Sequence, residues 1–104
     1  MTSYPLDDQH LPFYTVGQVA SLLQVPTAFL RRLDTEAVVQ PERSEGGQRR
    51  YSRVEIQQAQ RAVELMGEGM TLAGIRRLLT LEAEVADLRR QLAEAKRDHG
   101  RRAR

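Results

Sequence analysis

The chain has 104 residues, a formal net charge of +2 and no cysteine. This fits one small domain with a short extension, and it excludes disulfides, thiolate metal sites and thiol nucleophiles. No apolar run could span a membrane and the polar start is unlike a signal peptide, so we expect a cytoplasmic protein. Fifteen of the sixteen basic residues are arginine, the side chain suited to forked phosphate and guanine contacts, but +2 is too small to indicate nucleic-acid binding alone.

The first third of the chain predicts two short helices. Residues 1–12 show no apolar period and are expected to form a disordered tail. Thr15 and Gln18 then have the spacing of a capping box, followed by apolar residues at helical spacing. Val25-Pro26 interrupts this helix, and a second helix begins at Thr27. Its inner face is predicted to be Leu30, Leu33 and Ala37, and its outer face Thr27, Arg31 and Asp34, with Arg32 beside the outer row.

These two helices form a helix-turn-helix candidate, and a β-hairpin is predicted directly after them. Its first strand is expected at Val38 and Val39, and its second follows a turn at Gly46-Gly47 and ends at Tyr51. A hairpin in this position is a wing. Residues 46–53 carry three arginines and no acid, which favours contact with DNA phosphates over a solvated turn.

The segment after the hairpin predicts two more helices of the same domain. Ser52 and Glu55 form a second capping box, and the Gly-Glu-Gly run at residues 67–69 ends the helix that it opens. Thr71 is expected to cap another short helix. The winged-helix domain therefore covers residues 13–79.

The following residues carry a different apolar period. Steps of three and four residues form a heptad seam, which predicts a coiled-coil dimerisation helix at residues 80–96. The seam consists of Leu78, Leu81, Val85, Leu88, Leu92 and Ala95. The alternative is that the seam folds back onto its own domain, for which the small core leaves little surface. Residues 97–104 are polar and rich in arginine, and are expected to form a basic disordered tail.

Residues 27–56 resemble the amino-terminal domain of the MerR family of bacterial transcription regulators. The matching positions are Leu30, Arg31, Asp34, Pro41, Arg43, Gly47, Arg49 and Tyr51, with an apolar Val54 or Ile56 after them. The joint spacing of the last five of these named positions, from Pro41 to Tyr51, is specific. The resemblance covers roughly residues 14–95 and is closest to actinobacterial members of the heat-shock-repressor type. It implies a winged helix that binds DNA and an antiparallel dimer.

The chain also departs from the family pattern. Arg32 and Leu33 stand where most members have two tyrosines, Ala37 stands where they have a glycine, and Gln48 replaces an aromatic residue before the wing arginine. The contacts that those tyrosines make with the DNA backbone in other members must here fall to Arg32 or be lost. The promoter site of this chain therefore cannot be transferred from its relatives.

The expected fold is mainly α with a small β-hairpin wing, a winged helix-turn-helix followed by a C-terminal dimerisation helix. The expected function is a sequence-specific DNA-binding transcription regulator that acts as a homodimer on a palindromic promoter site. The predicted DNA-binding residues are Thr15, Thr27, Ala28, Arg31, Arg32, Arg43, Gly47, Arg49, Arg50, Tyr51 and Arg53. Of these, Thr27, Ala28 and Arg31 are expected nearest to base edges, and the wing arginines on phosphates.

Two other functions fit the same sequence: an architectural or excisionase-like factor that bends DNA, and a coiled-coil adaptor that binds a protein. The expected partners are double-stranded DNA and a second copy of the chain, with RNA polymerase or a chaperone as candidates, on the nucleoid in the cytoplasm. No arrangement of residues suited to catalysis can be placed, and His10 and His99 lie alone in the predicted tails. We therefore expect neither an enzyme nor a cofactor or metal site.

Overall fold

The computed structural model describes residues 8–103. Its elements are β1 (Tyr14–Thr15), α1 (Val16–Leu23), α2 (Thr27–Thr35), β2 (Glu42–Arg43), β3 (Arg49–Tyr51), α3 (Arg53–Gly67) and α4 (Leu72–Arg102). The predictions made for residues 1–7 and 104 lie outside this range. The elements confirm the predicted fold class, a mainly α-helical winged helix-turn-helix with a long C-terminal helix.

Side-chain caps begin α1, α3 and α4 where the sequence predicts them. The Thr15 hydroxyl accepts a hydrogen bond from the Gln18 amide at 3.1 Å, and the Gln18 side chain accepts one from the Thr15 amide at 2.9 Å. Ser52 and Glu55 form the same reciprocal pair at 3.1 and 2.9 Å. Thr71 caps α4. Each cap supplies a partner for an amide that the helix itself leaves unpaired.

The three strands form one antiparallel sheet in the order β1-β3-β2. In the register of the sheet, Tyr14 lies opposite Tyr51, and both Thr15 and Glu42 lie opposite Arg50. β2, β3 and the turn between them are the wing. The sequence did not predict β1, which has only two residues and no alternating pattern. Because β1 pairs with β3, it fixes the start of α1 beside the wing.

The predicted first wing strand at Val38 and Val39 is wrong, because these residues close the end of α2. Both of their amides donate to the Leu33 carbonyl, at 2.8 and 3.2 Å. Ala37, predicted on the inner face of α2, lies beyond the helix, is exposed and turns the chain with a φ of +58°. Val39 is buried in the core, and the first strand of the wing is Glu42–Arg43.

The core lies where α1, α2, α3 and the first turns of α4 meet the wing. Its largest fully buried side chains are Tyr51, Leu30, Leu33, Ile75 and Val19. Two of them, Leu30 and Leu33, belong to α2. Because they hold one face of this helix against the core, the opposite face is directed outward.

α4 is one continuous helix of 31 residues, where the sequence predicted a short helix, a separate dimerisation helix and a disordered tail. Its glycines lie only in its first and last turns, and the residues between them are rich in strong helix formers. Ion pairs between Arg90 and Asp87 and between Arg101 and Asp98 add support at i, i+3. Residues 97–102 therefore extend the helix. Within the described part of the chain, no helix is long and apolar enough to cross a membrane.

The residues before β1 pack against the start of α3. The Val54 amide donates to the Gln9 carbonyl at 3.1 Å, and the Leu11 amide donates to the Asp8 carbonyl at 3.2 Å. The first of these bonds supplies a partner to another amide of the first turn of α3. Residues 8–12 thus differ from the disordered tail predicted for them.

Candidate nucleic-acid interface

α2 presents an outward face suited to reading base edges. Leu30 and Leu33, 1% and 0% exposed, fix its inner face. Ala28 and Arg31 are exposed on the helix, and Thr27 at its first position is partly exposed. Arg31 takes part in no ion pair formed within residues 8–103. This face therefore presents the guanidinium group of Arg31 beside two short side chains, which would let the helix come close to the bases.

Arg32, beside that face, is paired within its own helix. Its Nε donates to a Glu36 carboxylate oxygen at 2.9 Å, with the two side chains 62% and 43% exposed. A solvent-exposed pair at i, i+4 contributes only about 0.3–0.5 kcal/mol. The pair therefore holds Arg32 only weakly, and the DNA contact predicted for Arg32 stays a prediction.

Asp34 joins α2 to the wing. One of its carboxylate oxygens accepts from Arg49 Nε at 2.7 Å and from Arg43 Nη2 at 3.1 Å. The side chains of Asp34 and Arg49 are 13% and 18% exposed, whereas that of Arg43 is 51% exposed. Both arginines were predicted to contact DNA. The structure brings them to an acidic residue that the sequence predicted on the outer face of α2.

The wing turn is closed by hydrogen bonds and has a special backbone at Gly47. Arg43 Nη1 donates to the Gly47 carbonyl at 3.1 Å, and the Gly47 amide donates to the Ser44 carbonyl at 2.9 Å. Gly47 has a φ of +80°, and a Cβ built there would meet nothing within 4 Å. The positive φ, not crowding, is therefore what favours glycine. The open space around it leaves the backbone accessible to a DNA strand.

β3 places its two arginines on opposite faces of the sheet. Successive side chains of a strand alternate, so Arg49 faces Asp34 while Arg50 lies on the other face and is partly exposed. Arg53 is exposed at the first position of α3. Arg50 thus lies on the face of β3 opposite Arg49, and Arg53 adds an exposed cationic side chain at the start of α3.

Two other predicted DNA contacts have structural roles. Tyr51 is 1% exposed, and its hydroxyl has no hydrogen-bond partner among the described residues. Burial raises the pKa of this hydroxyl above its ordinary value of 10.0. Tyr51 belongs to the core cluster, so its side chain is buried and not on the surface where the sequence predicted a DNA contact. Thr15 uses its hydroxyl to cap α1, although that group can still donate its own proton.

The sequence did not predict the contact that Arg76 makes. Its Nη1 donates to the Glu36 carbonyl at 3.1 Å, which links α4 to the C-terminal end of α2. A cation at this end satisfies a terminal carbonyl and complements the helix dipole. No local pattern signals this bond, because 40 residues separate the two partners.

The predicted seam lies on α4 with most of its side chains open to solvent. Leu78 packs partly against the core, and Ala95 is exposed. The large residues between them are Leu81, Val85, Leu88 and Leu92, which are 46%, 45%, 62% and 56% exposed. They follow one side of a helix that extends beyond the winged domain.

A helix-turn-helix with an outward second helix, a wing anchored to it and a long terminal helix define a class, the winged-helix DNA-binding proteins. Residues 14–82 match the family described as MerR HTH family regulatory protein. The chain belongs to the MerR family of transcription regulators and contains its DNA-binding domain.

A relative from Streptomyces coelicolor, named as heat shock protein HspR, is 37% identical over 84 residues. The match covers 80% of this chain but only 56% of the relative, so the chain spans little more than half of that protein's length.

Solved structures of MerR-family regulators resemble this chain throughout most of its length. HiNmlR, a regulator lacking the sensor domain and solved on promoter DNA, is 26% identical, with a TM-score of 0.58 over 81% of this chain and 79% of its own. A Bacillus cereus MerR-family regulator is 19% identical, with a TM-score of 0.59 over 83% and 70%. The N-terminal part of the Bacillus subtilis multidrug transporter activator, MtaN, is 20% identical, with a TM-score of 0.60 over 85% and 95%. The last two show the fold alone.

Proposed function

We propose that this chain acts as a homodimer that binds a two-fold symmetric promoter site and regulates transcription from it. The observation that carries the dimer is the exposed apolar seam on α4. Four large side chains, each about half exposed, follow one side of this helix. Covering each of them contributes on the order of 1 kcal/mol, and a second copy of α4 supplies a seam of the same period.

In this proposal each copy inserts α2 into the major groove of one half-site. Thr27, Ala28 and Arg31 lie nearest to base edges, because they occupy the outward face and the first turns of the helix. The phosphate contacts come from Arg32, Arg50 and Arg53 and from the open backbone at Gly47. Two such copies related by a two-fold axis read an inverted repeat.

The relatives support the biological setting. HiNmlR, which lacks a sensor domain, was solved on promoter DNA, and the Streptomyces relative carries the name of a heat shock protein. We extend to this chain a role at promoters of stress genes, inside the bacterial cytoplasm. RNA polymerase and a chaperone, the two protein partners predicted from the sequence, stay predictions.

Selection from a pool of random-sequence duplexes, followed by footprinting, tests this function. We expect two inverted copies of one half-site, separated by a whole number of helical turns of about 10–10.5 base pairs each. A tandem array without symmetry would favour the architectural function, and failure to retain any duplex would favour the adaptor. A second selection with Arg31→Ala should return a changed consensus. The same consensus at lower affinity would make Arg31 a phosphate contact.

A further inference from the structure

One carboxylate, Asp34, is shared by two of the arginines predicted to bind DNA. We propose that Asp34 is a positioning residue that holds the wing against α2 and withholds Arg43 and Arg49 from the DNA backbone. The inference rests on the proposed DNA-binding function and adds to it a limit on nonspecific attraction. It assigns to an acid in the DNA-binding surface a role in discrimination rather than in affinity.

The bonds of Asp34 link three parts of the surface. On α2, the Asp34 side chain is 13% exposed, and its carboxylate accepts from Arg49 of β3 at 2.7 Å. The same oxygen accepts from Arg43 of β2 at 3.1 Å, and the other terminal nitrogen of Arg43 donates to the Gly47 carbonyl in the wing turn. A shift of the wing relative to the base-reading face of α2 must therefore break charge-assisted hydrogen bonds, which are the stronger kind.

The charges of the surface give Asp34 its second effect. Six arginines lie between residues 31 and 53. Arg43 and Arg49 are directed at Asp34, so a phosphate that approached them would meet its negative charge or have to displace it. Arg49 is held the more firmly, since it is 18% exposed and its bond is shorter. Arg43 is 51% exposed, so loss of the negative charge on Asp34 would let a phosphate compete for its guanidinium group.

Asp34→Asn tests the proposal on a random-sequence duplex, which requires no knowledge of the operator. Because Arg43 becomes able to contact phosphate, the log–log salt slope of binding should become steeper by about 0.9. The affinity ratio of variant to parent should then rise about threefold between 200 and 50 mM salt. A merely destabilising change would lower the melting temperature and leave the slope unchanged, since fewer folded molecules make the same contacts.

Two further variants test whether the effect comes from the charge at Asp34 itself, and not from the net charge of the protein or from the shape of the side chain. Glu64→Gln removes the same charge from an exposed position on α3, so it should leave the slope at its parent value. Asp34→Glu keeps the charge beside both arginines and should also keep the parent slope. A parent protein that binds no duplex would overturn the proposed function itself. A parent that binds, with an Asp34→Asn slope equal to its own, would overturn only this inference.

If Asp34→Asn does not fold, Arg43→Gln decides the matter. An arginine withheld from phosphate can be removed without changing the salt slope, so Arg43→Gln should bind the random duplex with the parent slope. Arg50→Gln, on the other face of β3, should reduce the slope by about 0.9. A reduction of that size for Arg43→Gln would show that Arg43 contacts phosphate despite Asp34, and the proposal would be wrong.

Discussion

Leucine side chains are buried in the core of the winged domain but exposed on the distal part of α4, residues 80–102. Leu33 in the winged domain is 0% exposed, whereas Leu88 and Leu92 on α4 are 62% and 56% exposed. Several elements surround the first leucine, while the distal helix is tied back to α3 near its start by an ion pair between Arg61 and Glu82 at 2.8 Å. The winged domain thus buries leucines in its own core, and we propose that a second copy of the chain covers those on distal α4.

The largest effect should come from emptying the core of the winged domain. Leu33→Ala removes a fully buried side chain from α2 and should lower the free energy of unfolding by about 2–5 kcal/mol. Leu88→Ala is the matched control, because it removes the same atoms from an exposed position. It should leave the unfolding of the winged domain unchanged and weaken self-association. Urea denaturation at low concentration makes the comparison, and equal losses for both variants would show that Leu88 is buried within its own chain.

The next effect should come from charging the seam. Val85→Asp with Leu88→Asp puts unpaired carboxylates into an apolar contact, which is costly, so a folded monomer is expected. Loss of the second, linked half-site should reduce operator affinity by roughly 10²-fold or more. Sedimentation velocity and a titration on the selected operator measure both outcomes.

Ala83→Asp with Ala93→Asp makes the same charge change on α4 outside the seam, and this control should remain dimeric. A Val85→Asp, Leu88→Asp protein that stayed dimeric would assign the seam some other contact. A monomer that bound the full operator as tightly as the parent would favour the adaptor function instead.

The sequence predicts those features that depend on neighbours along the chain. Capping boxes at Thr15 and Ser52 involve residues three positions apart, and their partners are confirmed. The Asp34–Arg49 pair joins residues 15 positions apart. In the sequence, an arginine in a basic run is equally suited to a phosphate contact, and only the fold shows that Arg49 lies beside Asp34. At Val39 the local pattern gave a wrong prediction. Its β-branched side chain favours a strand, but burial in the core and a hydrogen bond to the end of α2 decide its conformation.

A smaller effect on the stability of the winged domain should come from the backbone at Ala37, just after α2. Ala37 has a φ of +58°, in the left-handed region that favours glycine. Ala37→Gly should therefore raise the free energy of unfolding by about 0.5–1 kcal/mol. Gly69 is the matched control, because it has a φ of +93° and a Cβ added there would meet nothing within 4 Å, so Gly69→Ala should lower it by a similar amount. Thermal unfolding measures both, and a loss on Ala37→Gly would mean that the Ala37 methyl group packs usefully.

The smallest effect concerns the buried hydroxyl of Tyr51. This group has no hydrogen-bond partner among the residues that the structure describes, so Tyr51→Phe should keep the packing of the ring and change the stability at neutral pH by less than about 1 kcal/mol, in either direction. A loss well above that would show that the hydroxyl is hydrogen-bonded in solution.

The effect of Tyr51→Phe should grow in alkali. Burial raises the pKa of the Tyr51 hydroxyl above 10.0, so the folded state holds this proton more tightly than the unfolded chain does. The resulting stability is fully present below pH 10 and is lost as the pH rises through the raised pKa. The parent should therefore lose stability above about pH 10 by a component that Tyr51→Phe lacks, because phenylalanine has no proton to release. Denaturant unfolding at about pH 8 and about pH 11 measures the difference. Equal losses of stability in both proteins would show that the Tyr51 hydroxyl is hydrated in the folded state. It would then lie at the edge of the core of the winged domain and not within it.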